Sequence, residues 1–135
     1  MSDARNVKYL PGGGADITDI EVAEPGAGEI QVSKAACGIC SWVLQTFRWG
    51  SDHRSAAAPG HEGVGYVTKV GEGVQGYEVG ERVVGGGFAS VGNMRARSAY
   101  KIPPSNMADE HWVVDPVSCC VTGCLLYTSP SPRDS

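Results

Sequence analysis

The chain has no run approaching the roughly 18 apolar residues that a membrane-spanning helix requires, which excludes a helical anchor within it. Its first residues, Met-Ser-Asp-Ala-Arg-Asn, lack the apolar core of a secretory signal, so a cytoplasmic location is expected. Positive charge is sparse: 11 Lys and Arg stand against 15 Asp and Glu, for a net charge of −4. Without a basic cluster there is no footprint for nucleic acid or an anionic membrane, and small-molecule or protein partners are expected instead. At 135 residues there is room for one domain and not two. Five cysteines in a reducing compartment read as ligands, nucleophiles or small buried side chains rather than as disulfide partners.

Turn formers are abundant. With 19 glycines and 8 prolines the composition points to a mainly β chain with short helices. Residues 29–37 alternate as a half-buried strand, with Ile30 and Val32 on one face and Gln31 and Ser33 on the other. Residues 41–49 hold no Gly or Pro and place Val43 and Phe47 at i,i+4, which predicts a short helix stopped by Gly50. A polar, Ala-rich loop follows over residues 50–60. Strands are expected at residues 64–70, 81–84 and 98–102, and helical character over residues 106–123.

Four blocks then follow one another: strand into Cys37-Gly-Ile-Cys40, Gly60-His61-Glu62-Gly63-Val64-Gly65, Val70-Gly71-Glu72-Gly73-Val74 and Val79-Gly80-Glu81-Arg82-Val83. Together they resemble the N-terminal, GroES-like half of the zinc-dependent medium-chain dehydrogenases, the alcohol and polyol dehydrogenase family. The resemblance implies a GroES-like β-barrel and a single catalytic zinc with three protein ligands and an open position. Carried over residue by residue, Cys40 and His61 are two ligands, and Asp115 in Val114-Asp115-Pro116-Val117-Ser118 is the carboxylate third. Glu62 is the glutamate that approaches the metal as an exchangeable fourth. The implied reaction is metal-assisted transfer of hydride from an alcohol, polyol or sugar to NAD(P). No cysteines lie between Val84 and Ile102 to hold a structural zinc, so one zinc is expected.

Plainer readings stand beside these. The lesser alternatives are that His61 is a histidine in a glycine-rich turn and Cys40 a small buried thiol, whereas Asp115 before Pro116 reads as well as a helix cap, a role that need not exclude the ligand one. His53 and His111 read as surface residues, and Cys119 and Cys120 as core. Cys37 with Cys40 forms a Cys-x-x-Cys between strand and helix, the context of a thioredoxin-like redox motif. A metal-free GroES-like binding module is a further alternative.

Three features of the family are missing. Trp42 stands where the family relays the alcohol proton through a Ser or Thr hydroxyl, and Val43 replaces the aspartate that orients the zinc-bound histidine. After Gly123 no Gly-x-Gly-x-x-Gly turn follows to open a dinucleotide fold. The eleven residues from Cys124 to Asp134 match, residue for residue, one reading frame of a transposase-type sequencing adapter. The expectation is therefore a GroES-like domain over residues 1–123 and a non-native tail over residues 124–135, truncated before the Rossmann domain. Such a chain is expected to expose apolar surface and to bind no NAD(P) by itself, the full-length parent being a homo-oligomer.

Overall fold

A computed structural model describes residues 2–53 and 59–128. Two antiparallel strands, β1 (Ser2–Tyr9) and β2 (Ala15–Val22), form a hairpin in which Ser2 pairs with Val22 and Tyr9 with Ala15. The main sheet has five strands in the order β6-β3-β4-β5-β7, with β3 at Glu29–Gly38, β4 at Glu62–Val70, β5 at Arg82–Val84, β6 at Val91–Arg95 and β7 at Tyr100–Lys101. Each neighbouring pair is antiparallel. Ser90 stitches the hairpin to this sheet: its N–H donates to the Arg5 carbonyl (2.8 Å) and its Oγ accepts from Arg5 N–H (2.9 Å). The architecture is the mainly β, GroES-like one expected, with helices confined to the sheet's margins.

The core gathers β-branched residues from the central strands. Ile30, Val32, Val67 and Val83 are wholly buried with Ala99, and Val70, Val74, Tyr77 and Met94 pack against them. Apolar burial of this kind contributes roughly 1.5–3 kcal/mol per side chain. The strict alternation expected of β3 fails at Gln31, which is 1% exposed. The face that carries Gln31 is covered where the chain at Ala23 and the side chains of Asn93 and Thr68 meet it, and the Gln31 amide is fully used. It donates to the Ala23 carbonyl and Asn93 Oδ1, while Thr68 Oγ1 donates back to Gln31. A buried amide is tolerated when its hydrogen bonds are made.

Helix α1 (Ser41–Trp49) has the expected bounds, and Gly50 ends it at φ +93°, donating its N–H to Thr46 O. Its buried face is Val43 with Thr46, not Val43 with Phe47, which is half exposed. The expected helix over residues 106–123 is two pieces: a 3-10 turn at Asp109–Trp112 and helix α2 at Asp115–Thr128, separated by Val113 and Val114 ahead of Pro116. Proline disfavours helical backbone in the residue before it and suits the first turn of a new helix. Cys119 and Cys120, expected in the core, are exposed on α2, none of whose residues is buried. The strand expected at residues 98–102 shrinks to Tyr100–Lys101 because a 3-10 turn, Ala96–Ser98, precedes it. Five residues of the expected loop, 54–58, and residues 129–135 of the tail lie outside the described residues; residues 124–128 continue α2.

Candidate metal centre

β3 ends at Gly38, and the chain turns so that Cys40 takes the N-cap position of α1 in extended backbone (φ −87°, ψ 172°). Cys40 makes no side-chain cap. Its Sγ instead lies 3.4 Å from His61 Nε2. His61 is presented by Gly60, whose φ of +72° favours glycine and whose missing Cβ leaves room for the Phe88 ring. One residue on, β4 begins at Glu62, paired across the sheet with Gly38. A Cβ at Gly38 would collide with the Glu62 carboxylate, so that glycine creates the space in which Glu62, 6% exposed, turns toward the histidine.

Around His61 Nε2 stand Cys40 Sγ at 3.4 Å, Glu62 Oε1 at 3.7 Å and Asp115 Oδ2 at 4.0 Å. The ligand atoms of Cys40, His61 and Glu62 all lie within 4.8 Å of one another. A tetrahedral zinc with bonds near 2.3 Å to sulfur and 2.0–2.2 Å to nitrogen and oxygen would space sulfur from nitrogen by about 3.6 Å and nitrogen from oxygen by about 3.4 Å. The donor set and spacings fit such an ion, with two anionic ligands to balance its charge. Asp115 reaches the cluster from the first turn of α2, where its charge also suits the helix dipole. The ligand and helix-end readings of Asp115 are thus compatible in this geometry. No carboxylate partners His61 Nδ1 among the described residues, and Val43 is buried.

Cys37 is not among the clustered ligand atoms, although the backbone N–H groups of Glu62 and His61 approach its sulfur. Its thiol is half-buried, donates weakly to the Gly38 carbonyl and lines an apolar cavity of about 530 Å³ with Tyr9, Val43 and Phe88. Burial pushes its pKa up, the reverse of what a reactive thiolate needs. His111 is exposed as expected, and the His53 ring lies 5.0 Å from that of Trp49.

Several residues gain importance only in three dimensions. Arg82 clamps the segment between β7 and α2: Nη1 donates to Met107 O (3.0 Å) and Asp109 Oδ1 (3.1 Å), Nη2 to Ser105 O (3.1 Å), and the guanidinium lies 5.5 Å from the centre of the Trp112 ring. Tyr66 OH donates to the same Asp109 oxygen (2.8 Å), and these bonds hold the Asp109 carboxyl below the usual range. A second cavity, of about 410 Å³, opens beside the cluster and is lined by His61, Glu62 and Asp115 together with Ser98, Tyr100 and Ser118. The Gly-Glu-Arg-Val block pointed to Arg82 only as part of a motif. Nothing in the spacing pointed to Ser118.

Residues 26–104 match the alcohol dehydrogenase GroES-like domain family. An L-threonine 3-dehydrogenase of Pyrococcus horikoshii is 37% identical over 81 residues, covering 57% of this chain and 23% of the relative. An alcohol dehydrogenase of a Moraxella species is 42% identical over 69 residues, covering 50% of this chain and 20% of the relative. The chain thus spans about a fifth to a quarter of the length of these curated relatives. A short chain alcohol dehydrogenase from E. coli CFT073, solved with NADH, superposes with a TM-score of 0.75 at 26% identity, covering 92% of this chain and 46% of that one. By sequence match, fold and order of motifs, the chain belongs to the alcohol dehydrogenase GroES-like domain family, the N-terminal domain of medium-chain dehydrogenases.

Proposed function

We propose that residues 1–123 are the metal-bearing catalytic domain of a zinc-dependent oxidoreductase that passes hydride from an alcohol, polyol or sugar to NAD(P) held by a second domain of the full-length parent. The observation that supports this reading is the convergence of Cys40, His61 and Glu62, whose ligand atoms lie within 4.8 Å of one another, with Asp115 at the rim. Bound there, zinc supplies the Lewis acidity that favours loss of the alcohol proton. The chain's own part is to hold a thiolate, an imidazole and a carboxylate in one place with an open side. Cys40 and Glu62 offset the charge of the ion, and Gly38 and Gly60 set the approach of Glu62 and His61. His61 is exposed, so the open side faces solvent. With Trp42 at the relay position, the alcohol proton leaves through that side rather than along a side-chain hydroxyl. Curated relatives carry the names alcohol dehydrogenase and L-threonine 3-dehydrogenase, which keeps both simple and substituted alcohols in view.

The test is metal analysis of the purified chain. One zinc per chain, lost in Cys40→Ser and His61→Ala, is the expected result, and cobalt in its place should show a thiolate charge-transfer band that Cys40→Ser abolishes. A folded chain that takes up no zinc would favour a metal-free GroES-like module. A Cys37–Cys40 pair that titrates as a dithiol would favour the thioredoxin-like reading.

A further inference from the structure

We propose that Lys34 is a covalent capture site for small aldehydes, which its amine takes up as an imine at the wall of the cavity beside the metal cluster. The inference goes beyond the oxidoreductase reading and does not require zinc. The lysines of the chain are Lys8, Lys34, Lys69 and Lys101. Two of them are held by carboxylates: Lys69 Nζ lies 2.5 Å from Glu24 Oε1, and Lys101 Nζ lies 2.5 Å from Glu81 Oε1. Lys8 is exposed on β1. Lys34 differs from all three, because its half-buried nitrogen turns to a backbone carbonyl and meets no carboxylate among the described residues.

Glycines build the cradle. Lys34 Nζ donates to Gly85 O at 2.8 Å and occupies the space that a side chain on Gly86 would need, since a Cβ there would come within 2.5 Å of Nζ and 2.9 Å of Cε. Across the sheet Lys34 pairs with Gly65, which presents no side chain to it either. Gly85, Gly86 and Met94 line the cavity of about 410 Å³ beside His61 and Glu62, so the amine abuts that cavity's wall.

An ammonium held this way loses hydration that one carbonyl does not replace, and burial lowers its pKa to about 8. The titratable group that faces it is the Cys37 thiol, whose anion opposes that fall only in part. At pH 7.5 roughly a quarter of the Lys34 side chains therefore carry a free amine, against about one in a thousand for an ordinary lysine. The free amine is the nucleophile. Its lone pair bonds to the carbonyl carbon of an aldehyde, a proton passes from nitrogen to oxygen, and loss of that oxygen as water leaves a C=N double bond. No oxidant or reductant is consumed, and water reverses the step. Aldehydes suit the site because an amine condenses with them without an activated leaving group, and a small neutral one suits a half-buried nitrogen. Oxidation of a primary alcohol, within the reaction class proposed above, yields such a compound.

The test incubates the purified chain at pH 7.5 with propanal and cyanoborohydride, which reduces each imine to a stable propylamine, and maps the adducts by peptide mass spectrometry. Mapping separates Lys34 from the terminal α-amino group, the other amine with a pKa of about 8. Lys34 should be labelled at least about fivefold faster than Lys8, Lys69 or Lys101, and its rate should level off above about pH 8 while theirs keep rising. In urea sufficient to unfold the chain the four lysines should react alike. Lys34→Arg should remove the dominant lysine adduct from a chain that keeps its folded amide spectrum. Labelling of Lys34 no faster than Lys8 in the folded chain, or a preference that persists in urea, overturns the inference. Zinc content measured on the same sample reports on the oxidoreductase reading separately: a chain that takes up no zinc but is labelled at Lys34 loses that reading and keeps this one.

Discussion

Lys34 carries a charge that its surroundings oppose. On β3, with its ammonium turned to the Gly85 carbonyl, it loses hydration that one hydrogen bond does not restore, and burial lowers its pKa to about 8, with the Cys37 thiolate only partly counteracting this. The unfolded chain keeps an ordinary lysine near 10.4, so between pH 8 and about 10.4 the unfolded state binds more protons and stability rises with pH. Cys37 works against this trend: burial raises its folded pKa, so stability from that thiol is present below the unfolded value near 8.5 and is lost as pH rises through the folded one. The parent curve alone would mix the two. Because the two groups act on each other's titration, comparison of Cys37→Ser with the double variant Cys37→Ser, Lys34→Met isolates the lysine: the stability of the lysine-bearing protein relative to the double variant should grow from pH 8 to about 10.4, read by urea unfolding at each pH. A difference flat across that window would show that Lys34 is not desolvated. None of this was legible in the sequence, because a lysine in a strand pattern reads as a solvated position until the strand proves to be central.

At the scale of elements, the sequence carried most of what has local causes. Helix α1 was readable to the residue because Gly50 stops it and no Gly or Pro interrupts it, β3 because Ile30 and Val32 alternate with strand period, and β4 because Val64, Val67, Thr68 and Val70 are β-branched. The hairpin β1–β2 and strand β6 went unread. They carry many polar residues, such as Asp3, Arg5, Asp16, Asp19 and Asn93, and only a few buried apolar ones, Ala4, Tyr9 and Val22, so cross-strand pairing contributes much of what makes them strands. Cys40, His61, Glu62 and Asp115 were found through motif order, whereas the means of holding Asp115 were not, because they join residues far apart in sequence. Arg82 supplies those means by pinning residues 105–109 and stacking over Trp112 just ahead of α2. Arg82→Lys keeps the charge but loses the fork that reaches three oxygens at once. It should cost about 1–3 kcal/mol of unfolding free energy, measured in urea, and weaken zinc in a chelator competition by no more than about tenfold. Unchanged stability would mean the clamp is ornamental. The Asp109 carboxyl adds a pH signature: its depressed pKa gives stability that is complete above its ordinary range and is lost as acid titrates it below.

At the scale of the whole molecule, α2 departs from the rest of the fold, since its residues are ordered into a helix that buries nothing. Val117, Val121 and Leu125 recur at i,i+4 and are each more than half exposed, and Leu126 and Tyr127 are more exposed still. Apolar side chains that stay in water contribute no burial free energy, so the helix beyond Gly123 adds nothing to the core of Ile30, Val32, Val67 and Val83. Truncation after Gly123 should therefore leave the thermal midpoint unchanged. The measurement is sensitive enough to decide, because a loss of 1 kcal/mol would move the midpoint of a domain of this size by roughly 4 °C or more. The truncated chain should also associate less at high concentration, since it sheds Leu125, Leu126 and Tyr127 from an exposed apolar stripe, and sedimentation velocity would read that change. A drop in the midpoint would show that residues 124–128 pack against the domain and belong to it.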